Sequence, residues 1–405
     1  MKLKPIINSL LETDQYKVNM QQVVFSQFNQ DRTTWAFKCR NANVKFTPEM
    51  ITEIREQLDH YCTLTYKPEE LEWLKKNLPW LKSSYIDYLK LWHPFRDEIK
   101  VNEGNIQAYN DCGLAIECEG PQLNVSMYEI PILSIVNEVY FAFTYGVRAK
   151  NIEFQKRTMQ KFDDLKNGKY DIGFFSEFGL RRRYSREMQD WLINYIVDQQ
   201  IPGFVGTSNI YLAKKYGIKA VGTMAHEMVQ LLQCHHEYNP AYANMLVMKA
   251  WVKEFQTDNG IYLTDCLTTD CFLRDFNKTY ANLFNGVRHD SADPIEWGDK
   301  MIAHYKKLGI DPKTKTLLFS DSLNFEKATK IKKYFEGQCK VAFGIGTYLS
   351  NPLDNPLNIV HKMVEGNGAP CAKLSDVEGK SMCRDNEYVE YLKRCINWRL
   401  RHERN

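Results

Sequence analysis

At 405 residues the chain is too long for one ordinary hydrophobic core and suits two domains. Its 44% apolar and 25% charged content belongs to a soluble globular protein and excludes a disordered one. A net charge of only +3 excludes attraction of the whole surface to nucleic acid or membrane, so any anion site must be local.

The N-terminal MKLKPIINSLLETDQYK lacks the apolar stretch and small-residue cleavage site of a secretory leader. Tyr16 lies in the polar lead-in TDQYK, ahead of a helix through MQQVVFSQF. WAFKCR at 35–40 alternates like a half-buried strand, residues 48–92 carry helical patterns, and IQAYNDCGLAIECEG at 106–120 reads as a hairpin. The most apolar window, 128–147, is interrupted by Glu129, Pro131, Asn137 and Glu138, which predicts a buried helix and no membrane span. Residues 1–150 thus read as an open-faced α+β unit.

Between 172 and 347 come seven short apolar runs: IGFFSEFG, GFVGTSN, AVGTMAH, IYLTDCL, VRHDS, LLFSDS and VAFGIGT. Continuous apolar runs separated by helical stretches are the mark of parallel strands covered on both faces. They predict an irregular, TIM-like α/β barrel over 151–355, in which chemistry sits just past the C-terminal strand ends. Those positions hold Glu177, Phe178, Thr207, Ser208, Thr223, His226, Asp265, Arg288, Asp290, Asp321, Gly344, Gly346 and Thr347. The tail from about 356 reads as strand–turn–strand and then a basic helix over 384–404. It is expected to pack back onto the first unit and make that domain discontinuous.

The eleven cysteines are odd in number and scattered, without a CxxC pair. Reduced thiols in a cytoplasm fit this usage. Cys234 with His235 and His236 reads as a helix end, and no protein-held metal centre is expected.

Four segments carry chemistry. In VGTMAHEMVQLLQ a strand is expected to end at Val221 and a helix to begin near Ala225. His226 then falls in the first turn, where the helix dipole disfavours positive charge and keeps the imidazole neutral and nucleophilic. In VRHDSADP, Arg288 offers a planar fork for a carboxylate or phosphate. Asp290 and Asp293 suit ribose hydroxyls or a Mg²⁺ ion carrying phosphates, although Asp293 before Pro294 is equally a helix cap. FGIGT places Gly344, Gly346 and Thr347 where a backbone approaches a phosphate. EFGLRRRYSRE crowds Arg181, Arg182, Arg183 and Arg186 beyond a strand whose Phe178 offers a flat face for a ring. A phosphorylated sugar and a planar anion fill such a mouth.

TDQYK, EFGLRRRYSRE, FVGTSN, GTMAHE, LTDCL, RHDSADP, FSDSL, FGIGT and KLSD together resemble the nicotinate phosphoribosyltransferase family, of the bacterial and fungal type, in that family's order. The resemblance implies an irregular α/β barrel with an open-faced sandwich domain. It also implies transfer of phosphoribose from phosphoribosyl pyrophosphate to nicotinate in an ATP-coupled, ligase-class reaction with Mg²⁺ on the substrate phosphates. The product is nicotinate mononucleotide, the first step of NAD salvage from nicotinate. By motif, His226 is the phosphohistidine and Thr223 lies beside the substrate, while Arg288 pairs the nicotinate carboxylate. Phe178 stacks the pyridine and Tyr16 covers it from the neighbouring subunit of a homodimer. Gly344, Gly346 and Thr347 hold the 5-phosphate and Asp290 the ribose. Asp265 orients His226, one of Arg181, Arg182 and Arg183 meets pyrophosphate, and Thr207, Ser208 and Asp321 complete the mouth. Where the family has DSGD, this chain has Ser291-Ala292-Asp293, and an alanine there is expected to avoid positive φ.

Two other readings remain. A nicotinamide-specific enzyme favours an aspartate after Gly206-Thr207, but Ser208 and Asn209 stand there. A non-catalytic nucleotide- or RNA-binding protein using RRRYSR has no need of His226.

Overall fold

The computed structural model describes residues 2–104, 112–377 and 383–403. Its strands, in chain order, begin with β1 (Arg32–Cys39), β2 (Ile99–Glu103) and β3 (Leu114–Pro121). Next come β4 (Phe174–Glu177), β5 (Phe204–Thr207), β6 (Lys219–Ala220) and β7 (Ile261–Leu263). Then follow β8 (Gly286–His289), β9 (Thr316–Phe319), β10 (Lys340–Ile345), β11 (Ile359–Gly366) and β12 (Ala369–Pro370).

Strands β4 to β10 form one parallel sheet in the order β6-β5-β4-β10-β9-β8-β7. All seven apolar runs supply a strand to it. Phe175, Val287, Leu317, Phe319, Phe343 and Ile345 are buried. Each such side chain contributes roughly 1.5–3 kcal/mol on leaving water. The third run gives the shortest strand, which ends at Ala220 and not at Val221. Side-chain caps then start the covering helices: Ser185 accepts from Met188 N, Asn209 from Leu212 N, Asp293 from Ile295 N and Asn324 from Lys327 N.

Among the described residues β6 and β7 do not pair, so the sheet is a curled half-barrel. Residues 221–260 connect the two edge strands. Their helix Glu227–Gln233 leans on the second sheet, where Gln230 Nε2 donates to Met363 O at 3.1 Å and Gln233 Nε2 to Ala372 O at 2.8 Å.

That second sheet is antiparallel, in the order β12-β11-β1-β3-β2. Strand β11, from beyond the barrel, pairs along β1 from Cys39↔Ile359 to Thr33↔Gly366, so the tail rejoins the N-terminal unit. One expectation needs correction. The hairpin partner of β3 is β2, ahead of the predicted 106–120 span, and residues 105–111 lie outside the described ones. Arg384, just ahead of the last helix, Asn386–His402, pairs with Glu117 of β3, while the helix itself is tied to the barrel. Its Arg399 reaches barrel elements, 2.7 Å from Asp275 Oδ1 and 2.5 Å from Ala241 O. Residue 404, its expected end, also lies outside the described residues. The window 128–147 gives the buried helix Glu129–Tyr145, and no described helix is long and apolar enough to cross a membrane. The eleven cysteines are all thiols.

Candidate active site

The loops after β6, β7 and β8 and the tail converge on His226. It immediately precedes the helix Glu227–Gln233, and its Nε2 lies 2.8 Å from Asp265 Oδ1 and 3.7 Å from Asp290 Oδ2. Asp265 Oδ2 accepts from Ser291 Oγ at 2.6 Å and faces Lys373 Nζ at 2.9 Å. Lys373 also stands 3.6 Å from Asp290. Burial would raise the Asp265 carboxyl, but the His226 ring and the Lys373 ammonium hold it well below the usual range. Asp290 is depressed in the same way by Lys373 and Arg288 against its burial. His226 is lowered, by burial first and by Lys373 second, although Asp265 and Asp290 pull it up. Neutrality thus has desolvation and a neighbouring cation behind it. Since a neutral ring must donate Nε2–H to Asp265, the lone pair is on Nδ1.

Arg288 Nη1 donates to Thr223 Oγ1 at 2.8 Å and to Met224 O at 2.9 Å, and Nη2 lies 3.5 Å from Asp290. Its Nε is buried without a partner, a donor for an anion.

An aromatic shelf flanks this cluster. A Cβ on Gly344 would overlap the Phe178 ring, so the glycine of FGIGT makes room for the ring. A Cβ on Gly222 would lie 2.7 Å from Tyr16 N, because TDQYK docks on its own barrel. Gln15 N donates to Ser208 O at 2.8 Å, and Asp14 bridges Asn209. The backbone of the segment that carries Tyr16 thus lies on the barrel of its own chain.

The arginines divide by environment. Arg183 is buried against Glu12 at 3.2 Å and donates to Ile6 O at 3.1 Å, while Arg186 is 3.0 Å from Glu12; both are structural. Arg181 faces Tyr16, Glu129, Asp290 and Asp14, which raise it against its burial. Arg182 is pushed down to about 9 by burial and by the charges of Arg181 and Arg40. Three guanidiniums repelling one another mark a site for a polyanion. Arg40 was not foreseen.

Other candidates have their side chains engaged within the fold. Thr207 Oγ1 donates to Glu177 Oε2 at 2.7 Å, and Ser208 Oγ donates to Asp14 Oδ1 at 2.6 Å; both residues are buried. Burial pushes Glu177 up to about 7. Asp293 caps its helix and does not pair with Asp290 in the mouth. Asp321 is near enough to His289 to act on its charge and accepts from Ser322 Oγ at 3.1 Å. Gly346 and Thr347 open a single helical turn, Thr347–Ser350, beside Phe178. Ala292 has φ +70°, in the left-handed region it was expected to avoid.

His226, Asp265 and Asp290 bring ligand atoms within 4.8 Å of one another, the spacing of a cation site. Lys373 already provides the positive charge there, and Nε2 bonds Asp265 directly, so a protein-held metal does not fit. Lys373 and Ser291 were missed as site residues, as was a second buried charge cluster. In it Lys17 pairs with Glu227 and, at 2.7 Å, with Glu129, which Lys362 meets at 2.9 Å. Lys17, Glu227 and Lys373 each stand inside a quoted motif, but their partners are too distant in sequence for spacing to show.

A curled parallel sheet with a neutral histidine, paired carboxylates, an aromatic shelf and clustered arginines at its C-terminal rim defines a group-transfer enzyme for phosphorylated, anionic substrates. Residues 174–399 match the profile of the nicotinate phosphoribosyltransferase (NAPRTase) family, and residues 11–137 match its N-terminal domain. The nicotinate phosphoribosyltransferase of Acinetobacter baumannii is 41% identical over 402 residues, 96% of this chain and 97% of the relative. That of Cupriavidus necator is 42% identical over 394 residues, 96% and 97% of the two chains. Crystal structures of nicotinate phosphoribosyltransferases from Vibrio cholerae and Porphyromonas gingivalis each superpose with a TM-score of 0.89 at 33% identity. They cover 97% of this chain and 94% and 100% of theirs, respectively. The chain belongs to the nicotinate phosphoribosyltransferase family.

Proposed function

We propose that the protein joins nicotinate to phosphoribosyl pyrophosphate, giving nicotinate mononucleotide and pyrophosphate, and couples this to ATP hydrolysis through phosphorylated His226. The observation that carries the reading is the His226–Asp265 pair in a mouth that also holds the Phe178 shelf and the Arg181–Arg182–Arg40 cluster. A metabolic enzyme working in the cytoplasm fits the reduced thiols. By the resemblance, two copies form a homodimer in which Tyr16 covers the pyridine bound by the neighbouring subunit.

Departure of pyrophosphate leaves positive character on C1 of the ribose, and the nicotinate ring nitrogen attacks that carbon. Phe178 and Tyr16 hold the ring flat, while the unpaired Nε of Arg288 receives its carboxylate. Asp290 takes the ribose hydroxyls, and the loop Gly346-Thr347 takes the 5-phosphate. Arg181 and Arg182 neutralise the leaving pyrophosphate, with Mg²⁺ arriving on the substrate phosphates. Positioning and charge stabilisation supply most of the rate. In the coupled step Nδ1 of His226 attacks the γ-phosphorus of ATP, the P–O bond to ADP breaks, and water later cleaves the N–P bond to return phosphate.

Nicotinate-dependent release of pyrophosphate tests the transferase, and a nicotinamide rate above the nicotinate rate would reverse the substrate assignment. No release with either base would favour the binding-protein reading. Radiolabelled ATP should leave an acid-labile phosphate on the wild type and none on His226→Ala. That variant should keep some uncoupled transferase activity. Equal labelling of the two chains would end the phosphohistidine assignment.

A further inference from the structure

His226 is faced by two carboxylates and one ammonium, and a guanidinium stands behind them. Asp265 and Asp290 approach Nε2 at 2.8 Å and 3.7 Å from the loops after β7 and β8. Lys373, on the tail beyond β12, lies 2.9 Å from the first and 3.6 Å from the second. Arg288, on β8, stands 3.5 Å from Asp290. On the histidine's own helix, Glu227 pairs with Lys17, which also meets Glu129 beside Lys362. Two carboxylates are therefore matched by two cations while the ring is uncharged.

We propose that Lys373 is the positioning residue that keeps His226 unprotonated, by supplying the buried positive charge that Asp265 and Asp290 would otherwise draw onto the imidazole. This rests on the reading of His226 as the phosphoryl acceptor. An ammonium removed from beside two buried carboxylates leaves uncompensated negative charge, which is costly. The imidazole is the nearest group that restores balance by taking a proton, and an imidazolium has no lone pair for phosphorus. With Lys373 in place, Nδ1 gives its lone pair to phosphorus as the P–O bond breaks. That bond's electron pair leaves with the nucleoside diphosphate, and the Nε2 proton stays shared with Asp265. The lysine comes from the sandwich-side tail, so the charge state of a barrel histidine is set from the other sheet.

The test uses full-length protein with isotope-labelled histidine, the His226 ring signals being assigned with His226→Gln. Ring nitrogen shifts are followed from about pH 5 to about pH 9, around the ordinary histidine range. The wild type should show a neutral Nε2–H ring near neutral pH. Lys373→Met should titrate about one to three pH units higher, and Lys373→Arg close to the wild type. The double variant Lys373→Met/Asp290→Asn loses one charge of each sign and should move back toward the wild type, which a merely structural lysine would not produce. Acid-labile labelling from ATP should follow the same displacement, with its alkaline plateau retained. A folded Lys373→Met whose ring titrates with the wild type would overturn the assignment, as would a double variant that does not move back. Should the ring titrate as expected while no chain labels at any pH, the phosphohistidine reading fails and the charge assignment for Lys373 stands.

Discussion

Gly344 and Ala292 show how one residue's backbone or missing side chain sets the site. A Cβ at position 344 meets the Phe178 ring, so Gly344→Ala should tilt the shelf and weaken nicotinate stacking. Because such contacts are worth ~0.5–1.5 kcal/mol, KM for nicotinate should rise about 2- to 12-fold with a smaller change in kcat, measured by steady-state kinetics. Ala292 holds φ +70°, next to the Ser291 that bonds Asp265. A left-handed conformation costs an alanine roughly 1–2 kcal/mol, and glycine returns about 0.5–1 kcal/mol of that as lost chain entropy. Ala292→Gly should therefore stabilise the protein by about 0.5–1 kcal/mol, read from the urea midpoint. A loss of stability would mean that the loop derives its shape from packing by the methyl group.

Among the elements, the last helix shows how a segment's destination depends on a single buried pair. Arg399 and Asp275 are nearly inaccessible and 2.7 Å apart, and Arg399 also bonds Ala241 O. Removing one partner of such a pair leaves a buried charge and costs about 3–5 kcal/mol. Arg399→Met should therefore release Asn386–His402 from the barrel, seen as hydrogen exchange and early proteolysis confined to the tail. The helix itself was legible as a basic stretch, as were the seven barrel strands from their apolar runs. Its docking partner was not, because a basic face is equally at home on either domain and only the Asp275 carboxylate, 124 residues away, decides between them.

Over the whole molecule, the charge cluster draws on segments far apart in the chain: His226 and Asp265 from the barrel and Lys373 from the tail. Mixing Tyr16→Ala with His226→Ala protein tests the proposed shared site: recovery of coupled activity shows that Tyr16 crosses between subunits, and no recovery assigns it to its own chain. Buried carboxyls also give stability a defined pH course. Asp265, Asp290 and Glu129 are depressed in the folded state, despite burial, by His226, Lys373, Lys17 and their neighbours. Their stabilisation is present above the ordinary values of 3.8 and 4.5 and is lost as pH falls through the folded ones. Glu138 and Glu177, pushed up to about 7 by burial, act oppositely: their share is full below 4.5 and is lost as pH rises through 7. From these carboxyls, urea midpoints should peak around 4.5, where the first set is complete and the second not yet lost, and Lys373→Met should flatten the acid side.

By itself the sequence determined the parallel strands, the rim residues at their ends and the family, because each is written in local spacing: apolar runs, caps and short motifs. The tertiary structure decided which of those residues are free to act. Thr207 and Ser208 look like ligand hydroxyls until Glu177 and Asp14 arrive to accept from them. Arg183 looks like its neighbours until Glu12 holds it. Lys373, silent in KLSD, becomes the counter-charge of His226 only because β11 returns to the first domain and carries the tail across the barrel mouth. Charge pairing depends on distance in space, and those distances join segments that the chain keeps far apart.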